Sequence, residues 1–178
     1  MSMVAMAKHW TLDELHRLPD DGNKYEVVFG ELFVTPAPTE EHETILARLN
    51  AILVPYVTAH GLGAVFRPRA IIRFDGSEAE PDLFVRAVSP KSRRDWDAAP
   101  VPLLVVEVLS HTTRRRDLGS KRELYLEAGA AEYWVIDPER CDVRVIRPGQ
   151  ADKLVDDRLT WAPSSATPLA LSVPDLFA

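Results

Sequence analysis

The best strand pattern in the chain is Leu103-Leu104-Val105-Val106-Glu107-Val108-Leu109, in which both alternating faces are hydrophobic and one carboxylate interrupts them. A strand of that kind is covered on both sides, so the pattern predicts the centre of a sheet. Shorter apolar runs surround it. Residues 25–28 and 31–34 flank Phe29-Gly30 and predict a hairpin with Gly30 in the turn. Residues 64–66, 70–74 and 81–85 predict three more strands, with Asp75-Gly76-Ser77 as a turn, and residues 132–137 and 143–146 predict two beyond the central one. Helical spacing of Ile45, Leu46, Leu49, Ile52, Leu53 and Val57 predicts a long helix over about 39–59. Thr39 would cap it and Glu40, Glu41 and Glu43 would suit its positive end, while Pro55 predicts a kink or a shortened last turn. Thr11 can cap a short helix over 12–17, and a further helix is expected over roughly 114–128, ended by Gly129. Residues 89–100, polar and bounded by prolines, read as a surface loop. The order of hairpin, helix, strands, helix and strands implies an α/β (α+β) protein, a mixed central β-sheet flanked by helices.

Composition adds limits. The 178 residues, 46% of them hydrophobic, suit one domain over 1–178 with its core at about 22–148 and no need of a disulfide. The single cysteine, Cys141, and the lack of zinc-type Cys/His spacing point to a reducing, cytoplasmic setting. His9, His16 and His60 show no ligand spacing either. No apolar run is long enough for a membrane span, and residues 1–10 lack a signal peptide's hydrophobic region. The net charge of −6 is unevenly spread. Residues 86–122 hold 9 basic and 4 acidic side chains, +5, whereas 1–60 and 123–178 each carry −5. An anionic ligand would be drawn to that middle stretch, although a solvated loop and helix start would look the same.

Within it lies Glu107, whose charge in an apolar strand would cost several kcal/mol unless a cation, from a side chain or a metal, offsets it. The plainer alternative is a half-exposed strand-end carboxylate bonded to Ser110 or an arginine. Alternation places Glu107 on one face with Val105 and Leu109, opposite Val106 and Val108. Asp82 follows Pro81 at the start of a short apolar strand, where it either projects into a cleft or serves a routine turn. Lys121 shares a helix face with Asp117 and Tyr125, which also fits an exposed Asp117–Lys121 pair. Tyr133 and Trp134 alternate along their strand, so one is expected in the core and the other exposed or at an interface. Two carboxylates on adjacent strands beside an ammonium are what metal-dependent phosphodiester hydrolysis requires: oxygens for Mg²⁺ and a cation to orient water.

The series Tyr25-Glu26-Val27-Val28-Phe29-Gly30-Glu31-Leu32, His42, Pro81-Asp82-Leu83-Phe84-Val85, the Glu107 strand with Ser110, Asp117, Lys121, Tyr125 and residues 129–138 resembles the Uma2 family over most of the chain. Those restriction endonuclease-like proteins are placed in the PD-(D/E)XK nuclease superfamily. The resemblance implies a restriction endonuclease-like core with an N-terminal β-hairpin, and Asp82 and Glu107 as the two motif acids. The Val108 carbonyl would be a further metal ligand and Lys121 the catalytic lysine. The lysine has moved, because Leu109 occupies the position two after Glu107. Glu26 or Glu31 would add a contact, with Glu26 preferred, and His42 has either a capping or a catalytic role. His111 stands where the family more often has proline.

The leading expectation is thus a Mg²⁺-dependent DNA endonuclease, Mn²⁺ able to substitute, with Arg114, Arg115 and Arg116 on phosphates. Family precedent adds a homodimer. The alternative is a non-catalytic DNA-binding or oligomerisation module on a nuclease scaffold, and a weaker one is a hydrolase of small phosphoesters. No helix-turn-helix, zinc module or RNA-stacking platform is present, so base readout would fall to loops such as 89–100.

Overall fold

The computed structural model describes residues 8–163 and 167–178. Residues 1–7, most of the stretch read as lacking a signal region, lie outside the described residues. In chain order the elements are α1 (Leu12–Leu15), β1 (Lys24–Val28), β2 (Glu31–Thr35), α2 (Glu40–Ala59), β3 (Ala64–Phe66), β4 (Ile72–Phe74), β5 (Ser77–Ala79), β6 (Leu83–Arg86) and β7 (Leu104–Val108). They continue with α3 (Arg114–Asp117), α4 (Ser120–Glu127), β8 (Tyr133–Asp137), β9 (Asp142–Ile146), β10 (Lys153–Val155), β11 (Arg158–Trp161), β12 (Leu169–Ser172) and α5 (Pro174–Phe177). Among the described residues no helix is long and apolar enough to cross a membrane.

A six-stranded sheet runs β10-β9-β8-β7-β6-β3, with strand β7, apolar on both faces but for Glu107, inside it as its two-faced pattern requires. Only β7 and β8 are parallel, so the sheet is mixed. The hairpin does not join it. It lies in a second, four-stranded sheet ordered β2-β1-β5-β4, which also takes Ile72–Phe74 and the short strand begun by Ser77, a residue the sequence placed in a turn. The hairpin turn has both central residues at positive φ, Phe29 at 50° and Gly30 at 80°. This geometry matches the twist of two strands joined by a two-residue loop. A side chain at Gly30 would also collide with the His9 ring.

Two apolar clusters cover the six-stranded sheet. One face carries Val106, Val108, Leu83, Val85 and Trp134 against α2 residues such as Leu49 and Leu53. The other carries Phe84, Val105, Leu109 and Tyr133 against Leu124 and Tyr125 of α4 and Val28, Ile72 and Ala79 of the smaller sheet. Because both faces are covered, Tyr133 and Trp134 are both fully buried, which corrects the expectation that one would be exposed.

The long helix has the extent predicted from its apolar spacing, without the shortened last turn that Pro55 suggested, and the helix predicted after the central strand needs correction. Helix α2 runs on past Pro55 to Ala59. Pro55 and Ala51, whose carbonyl loses its partner, are both exposed, so water can satisfy that carbonyl. The helix expected over 114–128 is broken into α3 and α4 at Leu118-Gly119, where a Cβ on Gly119 would lie 2.8 Å from the Arg115 carbonyl.

Packing also extends beyond residue 148, where the sequence pattern gave no elements. Trp161 on β11 is 2% exposed and meets Trp134 edge-on, with centroids 6.2 Å apart. Arg48 of α2 donates to the Leu176 carbonyl at 3.0 Å, and the Tyr56 hydroxyl donates to the Thr167 carbonyl at 2.7 Å. Replacing Trp161 with Ala should therefore destabilise the protein by about 3–5 kcal/mol in urea unfolding. A loss under about 1 kcal/mol would show that β11, β12 and α5 are not part of this core.

Candidate active site

The β6–β7 register pairs Leu83 with Val106, and one step further it sets Asp82 across from Glu107. Glu107 thus sits on the face of β7 shared by Val105 and Leu109, the face toward the smaller sheet. Strand β1 of that sheet brings Glu26. On the same face, α4 brings Lys121, which is completely buried and places its ammonium 2.7 Å from both Glu26 Oε1 and Glu107 Oε1. The Tyr125 hydroxyl, one helical turn on, donates to the same Glu107 oxygen at 2.6 Å. Asp117 Oδ1 lies 4.0 Å from the ammonium, so the i, i+4 pair exists but is buried. The break between α3 and α4 does not separate Asp117, Lys121 and Tyr125; the Tyr133 hydroxyl, donating to the Asp117 carbonyl at 3.0 Å, anchors the end of α3.

Asp82 is held from three sides. The Val108 N–H donates to its Oδ2 at 2.9 Å, the His42 Nε2 stands 3.0 Å from the same oxygen, and the Lys24 ammonium lies 3.5 Å from Oδ1. Burial would raise its pKa, but the His42 bond and the Lys24 charge outweigh it and hold the carboxyl well below the usual range. His42 also uses its main-chain N–H to meet the Thr39 cap, so its capping position and its contact with the motif acid coexist. Burial lowers the His42 pKa, and its bond to Asp82 more than reverses that.

Glu107 behaves differently. Burial first, and then the nearby charges of Asp82 and Asp117, push its pKa up to about 8 despite Lys121. Glu26 is equally buried, but Lys121 and Lys24 keep it below its ordinary value. It also accepts the Glu80 N–H at 2.9 Å, while its second oxygen has no hydrogen-bond partner and lies 3.9 Å from Arg116 Nη2. Lys121 itself stays firmly charged, since Glu107, Glu26 and Asp117 overcome the penalty of burial. One ammonium is therefore shared between two carboxylates, and it neutralises Glu26 better than Glu107.

Asp82, Glu107, Lys24, His42 and Arg116 face a cleft of about 760 Å³ whose rim includes Arg67 and Arg69. Lys121 lies behind that wall. Of the two hairpin acids, Glu26 enters the site and Glu31 is exposed on β2. The arginine triplet is divided. Arg114 makes a two-pronged pair with Asp137 at 2.8 and 2.9 Å and reaches Glu139, Arg115 is exposed, and Arg116 points inward to Thr35 Oγ1 at 2.6 Å. Lys24 was not singled out as a site residue, although it stands two before Glu26 and so shares its strand face.

Among the described residues no group of three or more His, Cys, Asp and Glu side chains is arranged to hold a metal ion. Two carboxylates and a main-chain carbonyl are what remains for a divalent cation. Continuing the register puts Pro81 opposite Val108, and a proline has no N–H to give that carbonyl. The donor set is all oxygen and incomplete, which fits Mg²⁺, an ion that keeps waters and takes substrate phosphate oxygens.

No curated protein matches the chain. A solved structure described as a putative nuclease belonging to DUF820 from Anabaena variabilis is similar over 94% of this chain and 97% of that one, with 23% identity and a TM-score of 0.74. At that identity the likeness shows the restriction endonuclease-like fold. A family model described as Uma2, putative restriction endonuclease, matches residues 12–175, a span that includes Glu26, Asp82, Glu107 and Lys121, and the chain belongs to that family.

Proposed function

We propose that this protein is a Mg²⁺-dependent DNA endonuclease in which Asp82, Glu107 and the Val108 carbonyl hold the ion, with Mn²⁺ able to replace it. The observation that carries the reading is Glu107: a buried carboxyl facing a cleft, opposite Asp82, with too little positive charge near it. A bound divalent ion would supply that charge, lower the pKa of a coordinated water and offset negative charge growing on the scissile phosphate. The protein's own groups do the positioning. His42 and the Val108 N–H fix the Asp82 carboxylate, and Tyr125 and Lys121 fix Glu107. Lys121, behind the cleft wall and without exposed surface, commits two of its three N–H groups to Glu26 and Glu107, so it acts on the attacking water through the Glu107 carboxylate that it holds. Lys24, on the cleft wall beside Asp82, is a second ammonium available to the phosphate. Hydrolysis joins the water oxygen to phosphorus and breaks the bond to one ester oxygen. Arg67, Arg69 and the exposed Arg115 would lie along the strand backbone. Cutting both strands of a duplex takes two such sites, so the reading includes a homodimer, working in the cytoplasm.

Asp82→Asn and Glu107→Gln keep side-chain shape and should each reduce Mg²⁺-dependent cleavage of duplex DNA by about 10²-fold or more, with little change in melting temperature. Lys121→Ala should both abolish cutting and cost about 3–5 kcal/mol of stability, since it leaves two buried carboxylates without their shared cation. Full cleavage by both isosteric variants would reject the reading. Salt-sensitive DNA binding by the parent protein with no cleavage in Mg²⁺ or Mn²⁺ would instead support the non-catalytic module.

Ion uptake should also move a proton. With a pKa of about 8, Glu107 is roughly nine-tenths protonated at pH 7, and a cation binding its carboxylate must displace that proton. Calorimetric titration with Mn²⁺ in buffers of different ionisation enthalpy should show release of close to one proton at pH 7. The release should decline as pH rises past 8 and be absent in Glu107→Gln. Undiminished release in that variant would show that another group titrates.

A further inference from the structure

Arg86, the last residue of β6, is 3% exposed and stacked among aromatic rings. Its guanidinium carbon lies 4.8 Å from the centroid of Phe66, 5.0 Å from that of Trp96 and 5.8 Å from that of Phe84. Rings attract a cation through their faces, yet they accept none of its in-plane N–H bonds. Among the described residues the Arg86 side chain makes no hydrogen bond and no ion pair, and its buried Nε and Nη1 have no partner. Buried arginines are ordinarily paired with carboxylates, and a guanidinium left with rings alone calls for an external acceptor. Arg86 opens onto a cavity of about 370 Å³ that is separate from the cleft. The loop at 89–100 forms its other wall, with exposed Arg93 and Arg94, the carboxylate of Asp95 and the indole of Trp96. Ser89 and Ser92 cross-bond at 3.0–3.1 Å and brace the start of this loop. Asp95, whose Oδ1 accepts the Asp97 N–H at 2.9 Å, is the one carboxylate among the described residues lining the cavity, against three guanidinium groups.

We propose that this cavity is an anion site for a phosphoryl group, with the unpartnered edge of Arg86 as its fixed donor and Arg93 and Arg94 closing over the ligand. A planar fork held rigid by stacking suits the paired oxygens of a phosphate, and the volume is enough for a phosphate with its attached sugar. The site lies four residues along β6 from Asp82, about 13 Å at strand spacing. It also connects to the cleft through β3, where Phe66 lines the cavity and the following Arg67 lines the cleft. One strand of nucleic acid passing through the cleft can therefore present a flanking phosphate to Arg86. This source rests on the nuclease reading; a free mononucleotide is the other source of the same chemistry.

The full-length protein, kept in EDTA so that nothing is cut, is titrated with inorganic phosphate, a deoxynucleoside monophosphate and a short DNA duplex. The parent protein should bind phosphate saturably. Arg86→Met and the surface pair Arg93→Gln with Arg94→Gln should each weaken that binding about tenfold or more. If the phosphate belongs to DNA, the log–log salt slope of duplex binding falls by about one in Arg86→Met. If the source is a free nucleotide, the slope is unchanged while monophosphate binding is lost, and the site stands. Should Arg86→Met fail to fold, the surface pair carries the test alone. No phosphate or monophosphate binding by the parent protein, or binding unaffected by the surface pair, overturns the proposal. Cleavage by the parent protein with Mg²⁺ is scored separately, so the anion site and the nuclease reading fail independently.

Discussion

One buried ammonium between two buried carboxylates organises this protein. Lys121 sits 2.7 Å from Glu26 on one sheet and 2.7 Å from Glu107 on the other, with no water-exposed surface of its own. A buried ammonium and two buried carboxyl groups in an apolar layer are tolerable only if they compensate one another, so the smaller sheet, the central sheet and α4 must meet at this point. The compensation is incomplete by design of the charges present. Glu26 takes the larger share, and Glu107 is left leaning toward its protonated form at the edge of the cleft.

The architecture follows from bringing those groups together. Antiparallel β6 and β7 set Asp82 across from Glu107, and Pro81 ends their ladder where the Val108 N–H turns to the Asp82 carboxylate. The β1–β2 hairpin, instead of extending the central sheet, folds over it and delivers Glu26 and Lys24 from above. Helix α2 closes the other side of Asp82 through His42, in the first turn after the Thr39 cap. Apart from Asp82, one residue before β6, each functional side chain thus rises from a regular element, and the elements are locked by the two apolar clusters around them.

The fold handles its buried cations in two opposite ways. Lys121 is saturated with carboxylates, whereas Arg86 at the far end of β6 is surrounded by rings and left without an acceptor. A compact ammonium can be satisfied by two oxygens in a small polar pocket. A guanidinium stacked among rings keeps its donors free of any acceptor in the protein, whereas the Lys121 ammonium is spent on holding two carboxylates in place.

Much of this could be read from the residues themselves. The two-faced apolar run around Glu107 determined a central strand, its alternation determined which face the carboxylate takes, and the ordered series from Glu26 to Asp137 determined the family. Periodicity could do so because it is a local property of strands and helices. It could not tell that the hairpin belongs to a separate sheet, that Tyr133 and Trp134 are both covered, or that residues past 148 contribute Trp161 to the core. Nor could it tell whether the arginines at 114–116 stay together; Asp137 and Thr35, distant in sequence, draw Arg114 and Arg116 apart. Which acid shares the lysine, and how much charge remains uncompensated, depend on distances between segments far apart in the chain. Electrostatic energy inside a protein is set by those distances and by the water excluded around them, and only the tertiary structure fixes either.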